Sequence, residues 1–178
     1  MKLTNYYVTA LQKSKNYMKK INLQISAVIY DDFVQLSTQD QVLMNKAIYA
    51  RNNAYAPYSK FNVGAAVLLN NKKIITGNNQ ENAAYPSGMC AERIAVWKAA
   101  SRYPKKHLIK IAVTGASYVS KVTQPVGPCG ACRQSLLEYE INQKQAIEII
   151  FMGETGNIVK VNSLLSLLPF SFDSSFIN

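Results

Sequence analysis

Three cysteines and one glutamate hold most of the reactive chemistry in this 178-residue sequence. Cys90 and Glu92 lie two apart in Ser-Gly-Met-Cys-Ala-Glu-Arg (87–93), and Cys129 and Cys132 form a Cys-x-x-Cys behind Pro128. Each cysteine falls at or just before the expected start of a helix. There the helix dipole and the unpaired N–H groups stabilise a thiolate. Cysteines three apart on a first helical turn can aim both sulfurs at one ion, and Cys90 can add a third from its own helix start. Several arrangements stay open on these residues alone. A redox pair needs only Cys129 and Cys132 and leaves Cys90 without a role. A closed structural zinc site needs four protein ligands, and the one histidine, His107, lies in a Lys-Lys-His run past Pro104, where a solvated loop is expected. Three thiolates with an open fourth position would be catalytic, because the metal lowers the pKa of a bound water to about 7. Glu92 suits a first helical turn for dipole reasons alone. Beside an activated water it becomes a proton carrier.

The elements that must position these residues follow from periodicity. Residues 21–30 (INLQISAVIY) are rich in β-branched side chains and predict an early strand. Residues 36–56 predict a helix capped by Ser37 or Thr38, with an apolar stripe through Val42, Leu43, Ala47, Ile48 and Ala50. Pro57 ends it. Two strands then flank Asn70-Asn71, a hairpin signal. A loop over 82–88 leads to a helix over about 89–101. Residues 108–116 form a compact apolar run of the buried-strand kind. A helix from the Cys-x-x-Cys to about Tyr139, strands at 146–153 and 158–161, and a short helix ending at Pro169 complete the chain. Strands before, between and after helices predict an α/β domain with the sheet in the middle.

Composition narrows the function classes. The chain is 48% hydrophobic and 17% charged, ordinary for a globular protein of one domain. No apolar run approaches the roughly 18 residues that span a bilayer. The net charge of +10 invites nucleic acid, but five of the 20 basic residues lie in residues 1–30, which carry no acid. The remainder shows only scattered pairs such as Lys72-Lys73, so a solvated basic surface is expected and nucleic acid is disfavoured as a partner. An odd number of cysteines without a hydrophobic secretory signal fits a reducing cytoplasm. Residues 1–17 lack acids, as mitochondrial presequences do, but also lack arginine, and are expected to be a flexible tail. Met18 is an alternative start, which makes 18–178 the folded domain.

Taken together, Cys-Ala-Glu at 90–92 and Pro-Cys-x-x-Cys at 128–132 resemble the signature of zinc-dependent cytidine deaminases. A cysteine stands where that signature often has histidine, as in the three-cysteine, homotetrameric nucleoside deaminases. Residues 52–68, 76–93, 128–140 and 167–172 resemble family blocks in family order. The resemblance implies a three-layer α/β/α sandwich around a central mixed sheet, with Zn²⁺ on Cys90, Cys129 and Cys132. It implies Glu92 as the proton shuttle that serves a zinc-activated water, converting cytidine and deoxycytidine to uridine and deoxyuridine with release of ammonia. Asn79 and Glu81 match the positions that hold the ribose; two apart in an extended segment, they share a face. Phe61, Val63 and Ala91 match positions at the base. Phe172 matches a C-terminal aromatic that packs over the base in a neighbouring subunit's site, with Phe170 as its competitor. Arg93 would offset the excess negative charge of three thiolates on one Zn²⁺. A homotetramer with sites at subunit interfaces, a nucleoside substrate and no membrane partner are implied. Deamination of cytosine in nucleic acid or in an antibiotic, and a non-catalytic zinc module, are the alternatives.

Overall fold

The computed structural model describes residues 18–177. The expected tail, residues 1–17, lies outside them. In chain order the elements are β1 (Ala27–Tyr30), α1 (Thr38–Arg51), β2 (Phe61–Leu69), β3 (Ile74–Asn78), α2 (Ala91–Arg102), β4 (Leu108–Ser117), α3 (Gly130–Gln143), β5 (Glu148–Met152) and β6 (Ile158–Val161). The six strands make one sheet in the order β1-β6-β5-β4-β2-β3. Only β4 and β5 run parallel; every other neighbouring pair is antiparallel. The sheet is therefore mixed, as expected.

Strand alternation sorts the layers. Ala65, Val67 and Leu69 of β2 join Ala95, Val96 and Ala99 of α2 and Leu136 and Leu137 of α3 in one core. Ala66 and Leu68 point the other way and join Leu43, Met44 and Ala47 of α1 in a second core. One helix thus covers one face and two cover the other, which is the α/β/α sandwich. Fully burying side chains such as Leu43 and Leu137 contributes about 1.5–3 kcal/mol each. Two glycines set how closely the helices lie. A Cβ on Gly64 would come 2.0 Å from the Ala47 carbonyl oxygen of α1, and one on Gly77 would come 2.6 Å from that of Ala91 in α2.

Boundaries differ from expectation where local contacts decide them. Ser37 caps α1, its Oγ accepting from the Asp40 N–H at 3.2 Å, and the helix stops at Arg51, short of the expected 56. The hairpin after β2 forms, but Lys72 takes its left-handed position (φ 64°), while Asn71 accepts from the Lys73 N–H through its side chain. β1 is a four-residue strand rather than ten, because its partner β6 offers only Ile158 to Val161. α3 continues past Tyr139 to Gln143, where Lys144 adopts the left-handed conformation (φ 53°) that ends it. The last expected helix is a single 3₁₀ turn, Leu165–Leu167.

Under α1 lies a cluster of four charges. Asp40 is 2% exposed and pairs with Lys110 and, at 3.4 Å, with Lys160; both lysines also reach Glu148, at 2.8 and 2.9 Å. Burial alone would raise the Asp40 and Glu148 carboxyls, but Lys110 and Lys160 hold both below the ordinary carboxylate range. Such groups give stability that is complete above their unfolded values, near about pH 4, and is lost as the pH falls through the folded values. Removing the Asp40 charge leaves Lys110 and Lys160 to share the one carboxylate of Glu148, so Asp40→Asn should cost roughly 3 kcal/mol at pH 7 in urea melts. It should also lose less further stability than the parent between about pH 4 and pH 2. An unchanged acid dependence would show that the stabilising carboxylates lie elsewhere.

Candidate active site

The N-termini of α2 and α3 meet at the three cysteines. Cys90 is the N-cap of α2 and Cys129 the N-cap of α3, both with extended backbone and neither capping its helix through the side chain. Cys132, one turn into α3, is fully buried. The three sulfurs lie within 4.8 Å of one another, with Cys90 Sγ and Cys129 Sγ 3.9 Å apart. Three thiolates bonded to one tetrahedral zinc would stand about 3.8 Å apart. Among the described residues no histidine or carboxylate ligand atom joins this group. His107 instead faces Gln145, Nδ1 to Oε1 at 3.1 Å.

The electrostatics of the cluster call for a cation. Hydrogen bonds from Cys132, Arg93 and Cys129 pull the Cys90 thiol down to about 5, against its burial. The bond to Cys90, burial and the neighbouring anionic groups push the Cys132 thiol up instead. The two shifts have one cause: the first negative charge settles on Cys90, and a second so near is opposed. A dication removes that opposition and lets all three sulfurs ionise, so the residues fit Zn²⁺.

Glu92 is 4% exposed, and burial, followed by the charge of Cys90, raises its carboxyl above the ordinary range. Arg93 donates from Nη2 to Cys90 Sγ at 3.3 Å, and its guanidinium lies 5.9 Å from the centre of the Trp97 ring one turn along α2. Its Nε is buried without a hydrogen-bond partner among the described residues. Ala91, fully buried at the first helical position, packs against Gly77.

The segment after β3 runs beside the cysteines. Gln80 exchanges backbone hydrogen bonds with Met89 at 2.9 and 2.8 Å, which lays residues 79–81 against the residue before Cys90. The Asn79 amide accepts from the Val63 N–H at 2.7 Å and donates to the Phe61 carbonyl at 2.9 Å. Glu81 Oε2 accepts from the N–H groups of Tyr58 and Ser59 at 2.9 and 3.2 Å, and the Ser59 side chain does most to lower its carboxyl. Both side chains thus reach the chain entering β2, in agreement with their expected common face. Glu81 also lines an open cavity of about 390 Å³ with Tyr58, Asn82 and Tyr85, the two tyrosine rings edge to face at 6.1 Å. Val63 packs against the core that holds Cys90 and Cys132, and the Phe61 ring lies over Gly115.

The C-terminal aromatics are exposed. Phe172 is 58% exposed and stacks on Phe176 at 5.5 Å, while Phe170 is exposed at a left-handed position (φ 57°). Two residues that the motif reading passed over hold this segment. Arg133 donates to the Pro128 carbonyl at 2.8 Å and to that of Leu167 at 3.0 Å. Gln134 donates to the Phe172 carbonyl at 2.9 Å. Both directly follow Cys132, and that adjacency was the available signal.

Residues 37–147 match the family model of the cytidine and deoxycytidylate deaminase zinc-binding region. A cytidine deaminase of Halalkalibacterium halodurans is 38% identical over 138 residues, 78% of this chain and 97% of that protein. One of Sporosarcina psychrophila is 44% identical over 90 residues, 51% of this chain and 62% of that protein. Among solved structures, the cytidine deaminase of Burkholderia pseudomallei superposes with a TM-score of 0.64 at 38% identity, covering 74% of this chain and 97% of its own. That of Mycobacterium tuberculosis gives 0.60 at 31% identity, covering 77% and 99%. A metal-binding cluster of three cysteines at two helix starts, on this sandwich and with these relatives, places the chain in the zinc-dependent cytidine deaminase family.

Proposed function

We propose that the protein hydrolyses cytidine and deoxycytidine to uridine and deoxyuridine with release of ammonia. The observation that carries this is the buried Glu92 carboxyl beside three converging sulfurs that no fourth protein ligand joins among the described residues. Cys90, Cys129 and Cys132 would hold the zinc, which when bound supplies the Lewis acidity that makes a water nucleophilic at neutral pH. Glu92 accepts a proton from the attacking water and delivers it to N3 of the cytosine ring as the oxygen adds to C4. The same carboxyl then takes the remaining proton of the hydroxyl added at C4 and passes it to the 4-amino group, and the C4–N4 bond breaks to release ammonia as the C4 oxygen becomes a carbonyl. A carboxyl raised by burial suits this double duty, because its anion is a stronger base than a solvated carboxylate while its protonated form remains an acid that can return the proton. Arg93 keeps negative charge on Cys90 through its hydrogen bond and so tempers the electron density of the sulfur group.

Asn79 and Glu81 hold the sugar, Phe61, Val63 and Ala91 border the base, and Phe172 closes a neighbouring subunit's site in a homotetramer. The exposed stack of Phe172 on Phe176, fastened to α3 by Gln134, supports that last assignment over Phe170, which has no such anchor among the described residues. Residues 18–178 form the single catalytic domain. A free nucleoside fits better than a polynucleotide, because an acidic side chain lines the cavity at the sugar end. The work is pyrimidine salvage in the cytoplasm, where thiols that must bind metal stay reduced. Among the described residues no helix is long and apolar enough to cross a membrane.

Glu92→Gln should bind zinc at the parent's stoichiometry and lose at least 100-fold in turnover, followed as the loss of cytidine's ultraviolet absorbance. Near-parent turnover would remove Glu92 from proton transfer. In Cys129→Ser the zinc content by atomic absorption should fall; a full complement would contradict its role as a ligand. Arg93→Ala should retain part of its zinc and lose tenfold or more in kcat, on the order of a charged hydrogen bond of about 1.5–3 kcal/mol. Unchanged turnover in that variant would leave Arg93 a bystander.

A further inference from the structure

Strand β2 has a second face. Phe61 and Val63 turn toward the candidate active site, so Asn62 between them points to the α1 side of the sheet. There it meets the last turn of α1, which Gly64 admits to close range. Asn62 and Arg51 of α1 line a cavity of about 380 Å³ with Ser117 and Tyr118 at the end of β4 and Glu154 after β5. The cavity is separate from the sulfurs, Glu92 and the sugar-end cavity, none of which contributes to its lining.

Its polar groups are arranged rather than loose. Asn62 is 7% exposed and donates to Tyr118 Oη at 3.1 Å, a bond that does not use its amide oxygen. Arg51 Nη1 donates to Thr114 Oγ1 at 2.8 Å and to the Gly115 carbonyl at 3.4 Å, which fixes one edge of the guanidinium. No carboxylate closes on it: among the described residues the ion pairs are those of Asp40 and Glu148 with Lys110 and Lys160. Burial accordingly lowers the Arg51 pKa, with the charge of Glu154 acting against that. One cation and one anion therefore line the same pocket without neutralising each other. The planar fork of an arginine matches a carboxylate bidentately. A carboxylate such as Glu154, with the amide oxygen of Asn62 lining the same cavity, suits an ammonium, and it opposes a phosphate or any other plain anion.

We propose that this pocket binds a free α-amino acid, its carboxylate on Arg51 and its ammonium between Glu154 and the Asn62 amide oxygen. The hydroxyls of Ser117 and Tyr118 serve the remaining polar atoms. The occupant would sit directly behind Phe61 and Val63, separated from them by one strand.

Saturation-transfer NMR on the zinc-loaded protein tests this, with the twenty standard amino acids as probes and acetate and inorganic phosphate as controls. At least one amino acid should show transfer, and acetate and phosphate should bind at least tenfold more weakly. Glu154→Gln, a change at an exposed side chain, should weaken the amino acid at least tenfold, and Arg51→Lys should do the same while keeping the charge. Absence of transfer to all twenty would overturn the proposal. So would undiminished binding in Glu154→Gln, or tighter binding of phosphate or acetate, which would mark a plain anion site. If Arg51→Lys fails to fold, the Glu154→Gln result still decides. Cytidine turnover is not the readout, so the outcome stands apart from that of the proposed deaminase activity.

Discussion

Three sulfurs have to converge from two helices, and much of the architecture answers that demand. Cys90 and Cys132 belong to different helices and are separated by a complete strand, β4. Their sulfurs meet because α2 and α3 lie side by side on one face of the sheet with both N-termini at the same end. A helix start is the one place where a thiolate finds unpaired N–H groups and a favourable dipole without a dedicated cation. Neither N-cap cysteine spends its sulfur on capping, so the sulfurs remain free for a metal.

The layers around this point are fixed by groups far less conspicuous than the cysteines. Gly77 lets the first turn of α2 lie against β3, because any side chain there would strike the Ala91 and Ala95 backbone. At the other end of α3, Glu140 is 7% exposed and accepts from the N–H groups of Ile147 and Leu164, both at 2.8 Å. It also accepts from the Leu165 N–H at 3.1 Å and from the Ser163 hydroxyl. One carboxylate thereby ties the helix to the start of β5 and to the C-terminal segment. Arg133 repeats the tie at the helix mouth, joining the strand of chain before Cys129 to Leu167. A buried acid with several donors is a rigid joint, since each unmade bond would leave a desolvated charge.

How much of this was legible depends on whether the deciding contact is local. The cysteine spacing and the Ser37 cap lie within a few residues of what they organise, and they located the metal group and the start of α1. The layered class followed from alternating strands and helices. The length of β1 was not legible: residues 21–26 have strand chemistry, but β6 has no residues left to pair with them. The role of Glu140 was not legible, because its partners lie seven to twenty-five residues away. Asn79 and Glu81 were recognisable as a pair sharing a face. That their side chains bond the backbone of 58–63 was not, since the approach of that segment is tertiary. The roles of Arg133 and Gln134 were hidden for the same reason.

Charge is distributed unequally between the two faces of the sheet, and the inequality separates holding from reacting. Under α1, two carboxylates meet two ammonium groups, and each member of that set has a partner of opposite sign. Such a set has no unmet electrostatic demand beyond its own desolvation. Under α2 and α3, three thiols and a buried carboxyl gather beside the guanidinium of Arg93, whose Nε is itself unpartnered among the described residues. If all four acidic groups ionise, the excess is far too large for a low-dielectric site to hold without a cation. The protein supplies one positive charge of its own and a geometry that fits a dication. The deficit that remains is what makes the metal part of the fold as well as of the chemistry. The sheet keeps the two regimes apart, so the α1 face can be stabilised without relaxing the tension that the sulfur site requires.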